Sequence, residues 1–347
     1  MLGVNRDKIL VWLPSPVGDA VLCTPALRGL GRRFEGEGIY FLAGETVRRL
    51  LSPNNFGNEW VETNGTGLTS LVRRLKGHGF SRAVLFKNSF GSALTTFLAG
   101  VPERTGYARD GRLFLLTQRI YPPKGADGRF KPVSMIDYYL QIVAQLGCST
   151  ADRLTELSVS KEDRESLSAK LGGVLSHSSP LVVFVPGGAY GPSKWWPVER
   201  FSATADWLIG KYGASLVLCV APNKTEARIA EQVCRLAERK VHSLAETPLA
   251  MGEVKALLAE SDLVITNDTG PRHIAIALGK KLITLFGPNN PEWTQTGYED
   301  EVQIVGRAEC VPCDKPHCRQ GRHLCMESIS VETVCDAAGK ILDKLQK

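Results

Sequence analysis

The feature of this chain that most restricts its fold is an alternation, carried through both halves, of short apolar β-branched runs with longer amphipathic stretches. In the first half the runs are ILVWLP (9–14), GIYFLAG (38–44) and RAVLFKN (82–88). In the second they are LVVFVPG (181–187), ASLVLCVA (214–221), LVITN (263–267) and KLITLFG (281–287). Such runs suit strands buried on both faces, as in a parallel sheet covered by helices. Helices are expected over Ala20 to Arg33, Val198 to Tyr212, Thr225 to Arg239 and Met251 to Glu260. The fold class is therefore α/β, built from βα units around mainly parallel sheets. A chain of 347 residues suits two domains, each with its own core. The text turns polar around residues 148–180, which divides the chain into a domain of residues 1–170 and a second of 171–347. Two doubly wound domains so joined are expected to face one another across a cleft, with ligands at the carboxyl ends of their strands.

Composition excludes several classes. With 43% hydrophobic and 22% charged residues and no low-complexity tract, the chain reads as soluble and globular rather than disordered. The apolar run from Ile9 to Leu13 is too short for a signal sequence, and nothing approaches the ~20 apolar residues of a membrane span. A cytoplasmic location is expected. Charge is unevenly divided: residues 1–150 hold 19 Lys and Arg against 11 Asp and Glu, while residues 151–347 hold 23 against 25. A basic first half suits an anionic partner, whether a phosphorylated glycolipid, a membrane surface or nucleic acid. The plainer alternative is a solvated surface with incidental arginines.

Three segments carry chemistry. In LPSPVGDAVLCTPALRGL (13–30) a strand breaks at Pro14 and Pro16, turns at Gly18 and enters a helix with Asp19 at its mouth, where Asp is either a reacting carboxylate or a helix cap. In PGGAYGPSKWWP (186–197), Gly187 and Gly188 let the backbone approach a ligand and Lys194 can reach a phosphate. Pro192 and Ser193 before that lysine rule out a Walker loop, and a Gly-Pro turn with a surface lysine is the alternative. In LVITNDTGPRHIAIALGKKLITLFGP (263–288), Asp268, Thr269 and Gly270 make a compact turn between a buried strand and a helix. Free N–H groups and the helix dipole favour a phosphate there, although simple capping would use the same residues.

Together these segments resemble the ADP-heptose lipopolysaccharide heptosyltransferases: Gly18-Asp19 after the first strand, Pro186-Gly187 through Lys194 and Trp196-Pro197, then Asn267-Asp268-Thr269-Gly270 with His273. The phrases AGVPERTGY (99–107) and GRLFLLT (111–117) and the tail ending Cys325-Met326 add to the likeness. The resemblance implies an inverting glycosyltransferase of two facing Rossmann-like domains of the GT-B type. It would move a heptose from ADP-heptose to the inner core of lipopolysaccharide, with peripheral contact at the inner membrane surface and no nucleic acid. It makes Asp19 the general base and puts Gly18, Arg109 and Arg112 on the acceptor side. Lys194 and Thr269-Gly270 would hold the diphosphate beside Gly187, Gly188 and Asp268. Glu226 becomes a candidate for the donor ribose, and His273 would orient the turn. Arg272 departs from the family, which often has an apolar residue there.

The leaving diphosphate develops negative charge that a cation or oriented N–H groups must meet. The sequence has no Asp-x-Asp metal-binding triplet, so a lysine with a helix N-terminus is the consistent metal-free substitute, and no cofactor is expected for catalysis. Cys310, Cys313, Cys318 and Cys325 follow C-x2-C-x4-C-x6-C. That spacing admits one structural Zn or Fe ion, with His317 and His323 as competing ligands and four free thiols as the alternative. Three other readings stay open on sequence. A nucleic-acid-binding protein with a zinc tail lacks interleaved aromatics in a recognised motif. A nicotinamide oxidoreductase lacks G-x-G-x-x-G in the first βα turn. A nucleotide-sugar epimerase on the same fold is distinguished only by acceptor dependence.

Overall fold

The computed structural model describes residues 7–57, 59–61, 63, 67–175 and 179–345. Two compact units are present, Met1–Glu156 with Glu292–Thr296, and Leu157–Pro291 with Gly297–Lys347. In the first, β1 (Lys8–Trp12), β2 (Gly38–Leu42), β3 (Glu59–Val61), β4 (Arg82–Leu85), β5 (Glu103–Tyr107) and β6 (Gln118–Ile120) form a six-stranded sheet ordered β3-β2-β1-β4-β5-β6. In the second, β7 (Leu181–Val185), β8 (Ser215–Leu218), β9 (His242–Ser243), β10 (Leu263–Asn267), β11 (Leu282–Phe286) and β12 (Glu301–Val305) are ordered β12-β11-β10-β7-β8-β9. Every pairing in both sheets is parallel.

The two sheets have the same doubly wound order, which makes each unit Rossmann-like. Each reverses its winding once, between β1 and β4 in the first unit and between β7 and β10 in the second. At such a point the loops leaving neighbouring strands part in opposite directions, and a crevice opens outside the carboxyl ends. The sequence explains which strands sit in the middle: every residue of β7, β10 and β11 is buried, whereas edge strand β12 is only half-buried. In the second unit Phe184, Trp196, Phe201, Leu216 and Leu218 share one core with Met326 and Leu342 from the C-terminal segment.

Two boundaries differ from expectation. The helix anticipated over 20–33 is two helices, Val17–Leu22 and Thr24–Arg33. Pro25 cannot donate a backbone hydrogen bond and its ring crowds the preceding turn, so the chain re-enters helix at Thr24, whose hydroxyl donates to Val21 O at 2.8 Å. The junction lies between Glu156 and Leu157 rather than after residue 170. Arg28 ties residues 152–156 to the first unit by donating to Asp152 Oδ2 at 2.9 Å and Leu154 O at 2.7 Å, and by pairing with Glu156. Helix Lys161–Leu171 belongs to the second unit, where Ser166 and Lys170 reach Glu253 at 2.6 and 2.7 Å.

Candidate functional site

Each switch point carries residues that the sequence singled out. In the first unit the loop leaving β1 runs through Pro14 and Pro16 into helix Val17–Leu22, with Gly18 and Asp19 in its first turn. The N-cap is Pro16, which has no capping side chain, so Asp19 is not the cap. Its carboxyl is half-buried and accepts a hydrogen bond from Tyr139, a buried residue of helix Met135–Ala144. Burial outweighs that bond and raises the Asp19 pKa from 3.8 to about 6. The dipole at the helix mouth therefore does not make this an ordinary low-pKa carboxylate. Asp19 is still mostly ionised at neutral pH, and it is a better proton acceptor than its residue type implies.

Arg109 and Arg112 have different fates. Arg109 is one-third exposed, pairs with Asp110 at 3.1 Å and lies 5.0 Å from the Phe130 ring centre. With Tyr121, Lys124 and Phe130 it lines a concavity of about 430 Å³, basic and aromatic in character. Arg112 corrects an expectation: it is fully buried and cannot face an acceptor. Its guanidinium donates to Lys87 O at 2.7 Å, Tyr107 O at 2.8 Å and Asn88 Oδ1 at 2.7 Å, pinning the segment after β5 to the loop that leaves β4.

The second unit brings its predicted residues together. A Cβ on Gly187 would stand 2.4 Å from the Glu226 carboxyl carbon, and one on Gly188 would stand 2.6 Å from Thr269 Cγ2. Gly188 also has a φ of +150°, which L side chains rarely adopt. Only glycines let the loop after β7 lie between these two side chains. Asn267 fastens it from the neighbouring strand, donating to Pro186 O at 2.7 Å. Glu226 is buried in the first turn of helix Lys224–Leu236 and accepts from Ala221 N at 2.9 Å.

Lys194 ends a short 3-10 turn and is buried, with Nζ donating to Asp268 Oδ2 at 2.7 Å and to Asp268 O at 2.8 Å. The Tyr190 ring lies 4.6 Å from the ammonium. Burial alone would raise the Asp268 pKa, but Lys194 and Arg272 overcome it and hold the carboxyl below its ordinary value. Asp268 is thus an acceptor that fixes Lys194, and offers no side-chain donor to a phosphate. Thr269 N-caps helix Gly270–Ala277, so the ammonium is anchored where the first amides of that helix begin. His273 is buried and its pKa falls to about 3, so it is neutral at physiological pH. Among the described residues its Nδ1 has no hydrogen-bond partner, leaving none there from that nitrogen to orient the turn. Sequence reasoning missed Tyr139 and Glu301. Glu301 pairs with Arg272 at 2.6 Å across a separation of 29 residues, which no local motif signals.

The four cysteines of the tail line one small cavity with Ser193, Pro288 and His323. Cys325 is buried and its thiol pKa is raised by burial and by the nearby Cys310 and Cys313. Among the described residues no three His, Cys, Asp or Glu side chains converge in metal-holding geometry. The loop has a second relationship, to the lysine: Ser193 donates from N to Pro316 O at 3.2 Å and from Oγ to Lys315 O at 2.6 Å.

Known proteins share this organisation. The Escherichia coli (strain K12) lipopolysaccharide heptosyltransferase 2 is 32% identical over 304 residues, covering 83% of this chain and 84% of that protein. The Pseudomonas aeruginosa lipopolysaccharide heptosyltransferase 1 is 27% identical over 331 residues, covering 90% and 87%. The solved structure of E. coli ADP-heptose lipopolysaccharide heptosyltransferase II superposes with a TM-score of 0.81 at 25% identity, covering 98% of this chain and 100% of that one. The profile of Glycosyltransferase family 9 (heptosyltransferase) matches residues 68–323, which include the Gly187-Gly188 loop, Lys194 and the Asp268-Thr269-Gly270 turn. On that match, and with 32% identity to a heptosyltransferase over 83% of its length, the chain belongs to glycosyltransferase family 9, the heptosyltransferases.

Proposed function

We propose that this enzyme transfers a heptose, with inversion and without a catalytic metal, from ADP-heptose to the inner core of lipopolysaccharide. The observation that carries the donor half is the anchoring of Lys194 on Asp268 at the start of helix Gly270–Ala277, at the switch point of the second sheet. There a diphosphate would meet an ammonium and the first helical amides together, with Glu226 available to a ribose hydroxyl across Gly187. The acceptor half rests on Asp19 at the other switch point, which would take the proton of the attacking hydroxyl. If so, ADP and ADP-heptose should raise the thermal midpoint of the purified enzyme, since a ligand that binds only the folded state stabilises it by mass action. Stabilisation by UDP-sugars with none from ADP would refute the donor assignment.

The same proposal includes a peripheral membrane contact through the first unit. Phe90, Phe97 and Leu98 of helix Phe90–Leu98 and the adjoining Leu113 and Phe114 are all exposed, and the segment from 68 to 131 is rich in Arg and Lys. Apolar groups among cations suit an anionic bilayer surface. The enzyme should co-sediment with vesicles containing anionic lipid and not with zwitterionic ones, and Phe97→Ser with Phe114→Ser should release it. Equal binding to both vesicle types would count against the contact.

We propose further that the four tail thiols hold one structural Zn or Fe ion. What supports this is that all four line a single small cavity. Among the described residues they do not converge in ligating geometry, so binding an ion would have to draw the thiols together. Protein kept reduced should carry about one metal per chain, and Cys313→Ser should lower thermal stability more than activity. Elemental analysis finding no Zn or Fe would dismiss the site.

A further inference from the structure

Arg272 is the third residue of helix Gly270–Ala277, where a cation opposes the helix dipole and full burial removes the help of water. Carboxylates explain how it is tolerated. Nε and Nη2 form a bidentate pair with Glu301 Oε1 and Oε2 at 2.6 and 3.0 Å, and Nη1 reaches Asp268 Oδ1 at 3.2 Å. Glu301 is itself fixed by Thr284 Oγ1 at 2.6 Å and Gln303 Nε2 at 2.8 Å. The Phe286 ring centre lies 4.9 Å from the guanidinium. The other Asp268 oxygen, Oδ2, holds Lys194. Glu301, Arg272, Asp268 and Lys194 thus stand in file with alternating charge. Compensating Arg272 alone would need only Glu301.

We propose that the Arg272–Glu301 pair is a positioning device for the donor, acting through Asp268 on Lys194. A carboxylate with one cationic partner can rotate with it, whereas one held by cations on both oxygens has a single orientation. With Oδ1 fixed by Arg272, Oδ2 faces Lys194 and the ammonium is held in place before the donor arrives. Arg272 also takes a share of the Asp268 charge, which leaves the ammonium more of its own for a phosphate. The inference rests on the reading that Lys194 contacts the diphosphate, and neither Arg272 nor Glu301 needs to touch the donor.

The test is a cycle read as ADP affinity by titration calorimetry. Arg272→Leu with Glu301→Leu removes the pair without leaving a lone buried charge. That double variant should bind ADP about tenfold more weakly than wild type, a typical coupling of ~1.4 kcal/mol. In a background of Lys194→Ala with Asp268→Asn, where nothing remains to be positioned, the same pair of changes should alter affinity by less than about twofold. An equal tenfold loss in both backgrounds would show that the pair only supports the fold, and would overturn the proposal. Wild-type ADP affinity in the Lys194→Ala, Asp268→Asn background would instead refute the diphosphate role of Lys194, and the proposal with it. If the double leucine variant shows no cooperative melt, Glu301→Gln keeps the shape and replaces the cycle's first arm. Its expected loss is about threefold in the wild-type background and none in the other.

Discussion

Replacing Asp19 with Asn should remove nearly all sugar transfer while leaving ADP-heptose binding unchanged. The acceptor hydroxyl must lose its proton as it attacks the anomeric carbon, and loss of a positioned base of this kind typically costs ~10² to 10⁴ in rate. Asn keeps the size of the side chain, and the N-cap residue is Pro16 rather than Asp19, so helix Val17–Leu22 should survive. The raised pKa sharpens the expectation. Because burial lifts Asp19 to about 6, the wild-type rate should fall as pH drops through about 6 and the base is protonated. That acid limb should be missing from the residual activity of the variant. Stability moves the other way. A carboxyl whose folded pKa lies above its ordinary 3.8 favours the fold at acid pH, and that advantage is lost as pH rises through about 6. At pH 8 the variant, carrying no buried charge at this position, should therefore melt no lower than wild type. Initial rates and melting curves of the two proteins across pH 5 to 8 check both halves, and transfer near the wild-type rate would leave Asp19 without a catalytic role.

Lys194→Ala should weaken ADP-heptose binding and lower kcat as well, because a charge-assisted contact to the leaving diphosphate strengthens as negative charge accumulates there. Removing a donor of this kind commonly costs ~10² to 10³ in kcat. The loss should exceed that of any exposed lysine, since the ammonium is buried and anchored on Asp268 at 2.7 Å. EDTA should leave wild-type activity nearly intact. Steady-state kinetics with and without EDTA decide the matter: complete loss in the chelator, restored by Mg²⁺ or Mn²⁺, would show that a metal performs the phosphate work.

The parts of the fold that were legible in sequence are those where burial is uniform. β1, β7, β10 and β11 read as apolar runs because water reaches neither face of a central parallel strand. β5, ERTGY, and β12, EVQIV, mix charged with apolar residues, and they escaped notice because they lie towards the edges of their sheets. In the site, Gly187, Gly188 and the Asp268-Thr269-Gly270 turn were legible because close backbone approach and a helix start impose residue types locally. The role of Arg112 was misread because residue type does not report burial. Its acceptors at Lys87, Asn88 and Tyr107 are assembled only by the fold. The Asp19 pKa was out of reach for the same reason: the burial that raises it is set by the folded packing, and Tyr139, whose hydrogen bond opposes that rise, comes from a helix more than a hundred residues away.

The most direct test of heptosyl transfer is ADP release from ADP-heptose by the purified enzyme, with and without a lipopolysaccharide acceptor truncated before its inner-core heptose, together with the anomeric configuration of the product. Release should require the acceptor, one heptose should be added per ADP formed, and its anomeric configuration should be opposite to that of the donor. ADP release or sugar isomerisation at the same rate without acceptor, or a product that retains the donor configuration, would contradict it.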